Sequence, residues 1–218
     1  YTGMKNEFDA LSRLTNIQSE VSCHYLIKNN GVIVKIVPDL YIAWHAGKSL
    51  WKNYKSLNQN SIGIEITNPG HEHGYKKFTK KQIISLLKLS KFLIKKYKIN
   101  LKNILGHSDI AAQRKKDPGE KFPWEYLSKN KIGIWHTLNK QDLIKNRKLK
   151  ISKIEKNIFF NNLFKIGYSK KYSKDNSKNR YLIELAKTFQ RRFRQELVNG
   201  KIDQECLLIS KSLIKIYN

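Results

Sequence analysis

The sequence predicts an α/β fold followed by a small helical bundle. Three observations carry that expectation. Two β-rich runs flank an Asn-Gly turn early in the chain. A broad apolar stripe at helical spacing covers residues 79–98. Beyond about residue 138 the helical pattern recurs and no strand is evident. The expected organisation is a first domain over 1–138, a linker over 139–150 and a three-helix domain over 151–218.

In chain order, Phe8, Leu11, Leu14 and Ile17 predict an amphipathic helix over 5–18. Residues 23–28 and 32–37 predict a hairpin around Asn29-Asn30-Gly31. Residues 48–60 are polar and read as a loop. Ser61 to Thr67 alternates and predicts a strand carrying one acid, Glu65. A Gly- and His-rich loop follows over 68–78. Thr79 with Gln82 is a capping box that opens the long helix. Asn103 to Gly106 predicts a short strand delivering His107, and Pro123 sits in the first turn of a helix from Phe122. In the tail, Ile154 to Phe164, Leu182 to Phe193 and Leu207 to Tyr217 predict three helices, the last capped by Asp203. The connection at 169–179 is rich in Lys, Ser and Asn.

Hydrophobic residues make up 40% of 218, enough for a buried core, and no apolar run reaches membrane-spanning length. No signal peptide is visible in the sequence, which opens on Tyr1-Thr2-Gly3. Lys and Arg total 43 against 17 Asp and Glu, a net charge of +26. Only seven of those cations are Arg, and the Lys are spread along the chain with Asn and Ile. Base readers lean on clustered Arg, so nucleic acid is set aside and an acidic polymer such as a cell wall fits better. Cys23 and Cys206 lie far apart and are expected as buried free thiols.

The chemistry gathers at Gly106 to Gly119. His107 and Asp117 are two good zinc-ligand types ten residues apart, with Lys115 between them. That spacing is not a same-face helical pair, so the two would converge from a strand end and the following loop. Asp117-Pro118-Gly119 is a turn signal. A catalytic zinc needs a third protein ligand, for which His24, His45, His71, His73 and His136 are the candidates. By residue type alone, Glu65 reads equally as an edge-strand acid facing solvent, and Lys115 as one more surface lysine.

Five stretches in order carry a family resemblance: Ser22 to Ile27, Ala43 to Gly47, Ser61 to Glu65, Gly106 to Ala111 and Arg114 to Gly119. Through them residues 1–136 resemble the zinc-dependent N-acetylmuramoyl-L-alanine amidases, whose fold is shared with peptidoglycan recognition proteins. The tail resembles a three-helix peptidoglycan-binding domain, through Phe189 to Phe193 and Asn199 to Asp203. The resemblance implies a mixed central β-sheet flanked by helices. It implies a zinc ion (Zn2+) on His107 and Asp117. The first ligand it implies is a His directly before a Tyr-Thr pair, one position before Tyr1. It gives Glu65 the role of general base and Lys115 that of the cation facing the oxyanion. Trp44, His45 and Arg114 are expected along the substrate groove. The implied reaction is hydrolysis of the amide between the lactyl group of muramic acid and L-alanine, in peptidoglycan or muropeptides. The alternative is a non-catalytic peptidoglycan receptor of the same fold. A monomer in the bacterial cell envelope, in the periplasm, is the expected setting.

Overall fold

The computed structural model describes residues 1–171 and 177–217. Helix α1 (Glu7–Thr15) starts where the Asn6 side chain accepts from the Asp9 amide. It stops short of the expected end, because Asn16 turns extended and caps a 3-10 turn over Ile17–Ser19. Phe8 and Ile17 are thereby left 79% and 80% exposed, and Ala10 and Leu14 supply the inward face instead.

Strands β1 (Tyr25–Ile27) and β2 (Ile33–Lys35) form the expected hairpin, with Gly31 at φ 86° in its turn. A Cβ at Gly31 would lie 2.8 Å from the Lys81 carbonyl, so the turn presses on the long helix. Residues 48–60, expected as loop, hold a short antiparallel pair, β3 (Leu50–Trp51) and β4 (Tyr54–Lys55). Its anchor is Trp51, which is buried in the core. Strand β5 (Ile64–Ile66) joins β1 in parallel, giving a mixed sheet of order β2-β1-β5. Helix α2 (Lys80–Tyr97) begins with the expected capping box and lays Leu86, Leu89 and Leu93 on Tyr25, Ile27 and Ile66. On the other face Leu26 packs with Leu14 and Cys23. Both faces of β1 are therefore covered, which is why it reads as an unbroken apolar run. Glu65 stands opposite Leu26 and projects from the α1 side of the sheet.

The strand expected at Asn103 to Gly106 does not form. Asn100 caps a 3-10 turn over Leu101–Asn103, and Ile104 and Gly106 run extended into α3 (His107–Ile110). An open cavity of about 870 Å³, lined by Ile64, Leu86, Leu93, Ile104 and Tyr1 among others, runs beside the free edge of β5. At its end Thr2 donates to the Ile66 carbonyl and Gly3 to that of Asn68, both at 3.1 Å. Helix α4 (Trp124–Lys129) follows Pro123 as expected.

The tail holds α5 (Lys140–Asn146), α6 (Lys153–Ile166), α7 (Lys178–Phe193) and α8 (Gln204–Tyr217). The last three are the expected bundle, and Asp203 caps α8 by accepting from the Cys206 amide. Residues 139–150, expected as a linker, carry α5, because Asn139 caps it and Leu143 is buried. Within the connection at 169–179, residues 172–176 lie outside the described residues. Phe159, Leu163, Phe189 and Leu207 share one apolar cluster with Ala46, Trp51 and Leu57, so the core crosses the expected boundary at 138. Cys23 and Cys206 are buried and free, as expected. Among the described residues no helix is long and apolar enough to cross a membrane.

Two histidines pack in the corner between β1 and β5. His24 accepts from the Gly63 amide at Nδ1 and donates from Nε2 to the Tyr41 carbonyl, each at 3.0 Å. The His45 ring meets it edge-on at 5.4 Å. A Cβ at Gly63 would fall 2.3 Å from His45 Cγ. Gly63→Ala is expected to cost about 1–3 kcal/mol of stability, read from denaturant titration. Burial, aided by His24, lowers the His45 pKa from 6.5 to about 4. The unfolded ring protonates near 6.5 and the folded ring does not, so this stabilisation is whole above pH 6.5 and is lost between 6.5 and about 4. His45→Gln is expected to flatten the stability curve in that interval. Phe189→Ala is expected to cost about 3–5 kcal/mol, with both parts of the chain still melting in one calorimetric transition because they share a core.

Candidate active site

Residues ten apart meet at this site because the loop between them closes on itself. Gly106 approaches Pro118 so closely that a Cβ would lie 2.6 Å from Pro118 Cδ. After the single turn of α3, the Arg114 and Lys115 amides both donate to the Ala111 carbonyl at 2.9 Å. The Ser108 amide then donates to the Asp117 carbonyl at 2.9 Å. His107 Nδ1 and Asp117 Oδ2 end 3.1 Å apart. The other ring nitrogen, Nε2, lies 3.1 Å from the Ala46 carbonyl, which can only accept. Nε2 therefore carries a proton, and Nδ1 is the nitrogen that offers a lone pair when the ring is neutral. Burial alone would raise the Asp117 carboxyl. With a proton on Nδ1, the His107 hydrogen bond, together with Lys115, outweighs it and holds the group well below the usual carboxylate range.

A cleft of about 250 Å³ opens over this pair. Glu65, His107, Lys115 and Asp117 line it together with Trp44, His45 and Arg114. Every expected site residue in the sequence thus reaches one cavity. The Tyr1 nitrogen lies 3.5 Å from Glu65 Oε2 and 4.0 Å from Asp117 Oδ2. Glu65 Oε2 is buried and takes no hydrogen bond among the described residues. Lys115 makes no ion pair closer than 4 Å among them. Trp44 is 45% exposed, its amide donating to Ser22 Oγ at 2.8 Å. Arg114 is less available than expected: Nη2 donates to the Ala46 carbonyl at 2.8 Å and to that of Lys48 at 3.0 Å. It braces the carbonyl that His107 uses.

The candidate third ligands are placed elsewhere or already engaged. Both ring nitrogens of His24 are occupied in the sheet corner. His71 bridges the Tyr1 hydroxyl at 2.7 Å and Glu120 Oε2 at 3.0 Å. His73 lies in the turn closed by its amide on the Gly70 carbonyl. His136 stacks near Trp135, with centroids 5.0 Å apart. His45 is in the cleft but sits against His24. Among the described residues no group of three His, Cys, Asp or Glu is set to hold a metal.

Several residues that shape the site were not singled out from the sequence. Tyr75 donates to the Pro118 carbonyl at 2.6 Å and accepts from the Lys121 amide at 3.0 Å. Gly119, at φ 81°, admits the Tyr75 ring against its Cα. The Gly- and His-rich loop is therefore bolted to the Asp117 loop and is not a free solvated segment. Its signal was an aromatic residue directly after Gly74. Asp109 is held by Tyr168 and Arg192 from the tail, for which one sequence carries no local sign.

Comparison with known proteins is consistent across the chain. Residues 1–120 match the family model described as N-acetylmuramoyl-L-alanine amidase. The N-acetylmuramoyl-L-alanine amidase AmiD of Escherichia coli K12 is 34% identical over 224 residues, covering 97% of this chain and 80% of that one. The 1,6-anhydro-N-acetylmuramyl-L-alanine amidase AmpD of Haemophilus influenzae is 42% identical over 113 residues, 51% of this chain and 59% of that one. Among solved structures, E. coli AmiD in complex with its substrate anhydro-N-acetylmuramic acid-L-Ala-D-gamma-Glu-L-Lys superposes with a TM-score of 0.83 at 34% identity, covering 100% of this chain and 87% of that one. AmpDh3 of Pseudomonas aeruginosa in complex with anhydromuramic pentapeptide gives 0.84 at 29% identity, covering 100% and 89%. With the family model spanning more than half of its length and a full-length relative above 30% identity, the chain belongs to the N-acetylmuramoyl-L-alanine amidase family.

Proposed function

We propose that this enzyme cleaves the amide between the lactyl group of N-acetylmuramic acid and L-alanine, in peptidoglycan or its fragments, using zinc held by His107 and Asp117. The observation that carries the reading is the 3.1 Å approach of His107 Nδ1 to Asp117 Oδ2. Two ligands each about 2.0–2.1 Å from a tetrahedral zinc lie roughly 3.3 Å apart, so the pair is already spaced for a shared ion. An imidazole nitrogen and a carboxylate oxygen are also the donor types zinc takes. The chemistry such an ion supplies is polarisation of the scissile carbonyl and a lowered pKa, about 7, for a water beside it.

This chain's residues do the rest. Glu65, whose Oε2 takes no hydrogen bond among the described residues, takes the proton of the attacking water and returns it to the leaving amine. Lys115 faces the charge that develops on the amide oxygen, a contribution of about 3–4 kcal/mol in comparable sites. Trp44 offers its exposed face to sugar or peptide. The family resemblance puts its third ligand, a histidine, directly before the position of Tyr1, whose nitrogen lies 3.5 Å from Glu65 Oε2 and 4.0 Å from Asp117 Oδ2. A peptidoglycan substrate fits an enzyme of the cell envelope.

Glu65→Gln is expected to lower muropeptide turnover by about 10²–10⁴-fold while bound zinc, measured by metal analysis, stays at the parent level. Full activity in that variant would remove Glu65 from the reaction. Lys115→Met is expected to cut kcat by about 10²–10³-fold with a much smaller change in KM. Placing a His directly before Tyr1, against an Ala there, is expected to tighten zinc binding by more than about tenfold in chelator competition. Equal affinities would place the third ligand elsewhere.

A further inference from the structure

The C-terminal helices reach the loop that carries His107. Asp109, two residues beyond it, is only 3% exposed. Its Oδ2 accepts from the Gly106 amide at 2.8 Å and pairs with Arg192 Nη1 from the last turn of α7. Its Oδ1 accepts from the Tyr168 hydroxyl, just past α6, at 2.7 Å. Arg192 Nη2 donates to the Ile104 carbonyl at 3.0 Å, and the guanidinium lies 4.2 Å from the Trp124 ring centre. One arginine thus grips both Ile104 and Asp109, the two sides of the segment on which His107 stands.

The same part of the tail holds the second support of that imidazole. The Tyr168 ring meets Trp51 edge-on at 5.1 Å. The Lys52 amide donates to the Gly167 carbonyl at 2.8 Å, and a Cβ at Gly167 would lie 2.7 Å from the Trp51 ring. This stretch leads back to Ala46, whose carbonyl takes the His107 Nε2 proton and shares the apolar cluster with Trp51 and Tyr168. The backbone turn under His107 is therefore fastened to Tyr168 and Arg192, and the stretch that follows Ala46 packs on Tyr168 through Trp51.

We propose that Tyr168 and Arg192 are positioning residues of the active site, through which the C-terminal helices fix the orientation of the His107 ring. The inference rests on the zinc amidase reading for its consequence, though the positioning itself is a property of the fold. Groups that hold a metal-binding histidine in place typically change metal affinity or activity by about 10–100-fold when removed. A lysine in place of Arg192 cannot span two acceptors and lie flat on an indole, so the conservative exchange fails too.

The deciding variant is Tyr168→Phe, which removes one hydroxyl and keeps the ring against Trp51. It is expected to fold, to lose about tenfold in zinc affinity and in kcat, and to keep KM within about twofold. The His107 Nε2 proton resonance should shift. Arg192→Lys is expected to do the same more strongly; should it not fold, Tyr168→Phe decides alone. Leu213→Ala in α8 is the control, because it weakens the same tail without touching these bonds. Its folded fraction should keep the parent zinc affinity, kcat and His107 resonance. Parent-like values in Tyr168→Phe, or an equal loss in Leu213→Ala, would overturn the proposal. A parent protein that neither binds zinc nor cleaves muropeptides would sink the enzymatic reading instead, and the His107 resonance would still decide the positioning claim.

Discussion

The hydrogen bond from the Ser108 amide to the Asp117 carbonyl is the constraint on which the site depends. It closes a loop that starts at the imidazole and ends at the carboxylate. Without it, two side chains ten residues apart have no reason to meet at 3.1 Å. Closing a loop of that length costs little chain entropy, and the cost is met in folding. Gly106 makes the closure possible, since any side chain there would strike Pro118.

Around this closed loop the protein sets three supports. Tyr75 and the His71–Glu120 pair hold its outer edge. Arg114 and His107 share the Ala46 carbonyl on the cleft side. Tyr168 and Arg192 hold the buried side through Asp109. The third is the most consequential for stability, because a buried carboxylate left without its cation is far costlier than a surface pair lost. It also explains why the tail belongs to the core: its aromatic residues pack on Trp51 and Leu57 as well as on one another.

The +26 charge looks different in this light. Arg192 and Arg194 are buried and paired with Asp109 and Asp203. Many of the lysines are surface groups. The charge relevant to the candidate site is local: Lys115, with no ion pair among the described residues, lines the same cleft as Glu65 and Asp117.

Much of the architecture could be read from residues in sequence. The Asn-Gly turn, the Thr79–Gln82 box and the Asp203 cap are local signals with local causes, and each forms as expected. So are the functional residue types: Glu65, His107, Lys115 and Asp117 carry their chemistry in the side chain, and the turn residues around Asp117 announce a loop. What failed were elements whose outcome depends on distant partners. Asn103 to Gly106 has strand residues but does not join the edge of β5. Residues 139–150 look like a linker until Leu143 finds a core to enter. Phe8 and Ile17 keep helical spacing yet meet nothing. The sequence by itself determined the fold class and the family and named the candidate site residues, because these are set by composition, spacing and short motifs. Tertiary structure alone decided which histidines are engaged, which arginines are braces, and that the tail holds the active-site loop. Those outcomes are contacts between residues dozens of positions apart, and pairing at that range leaves no trace in the local pattern of either partner.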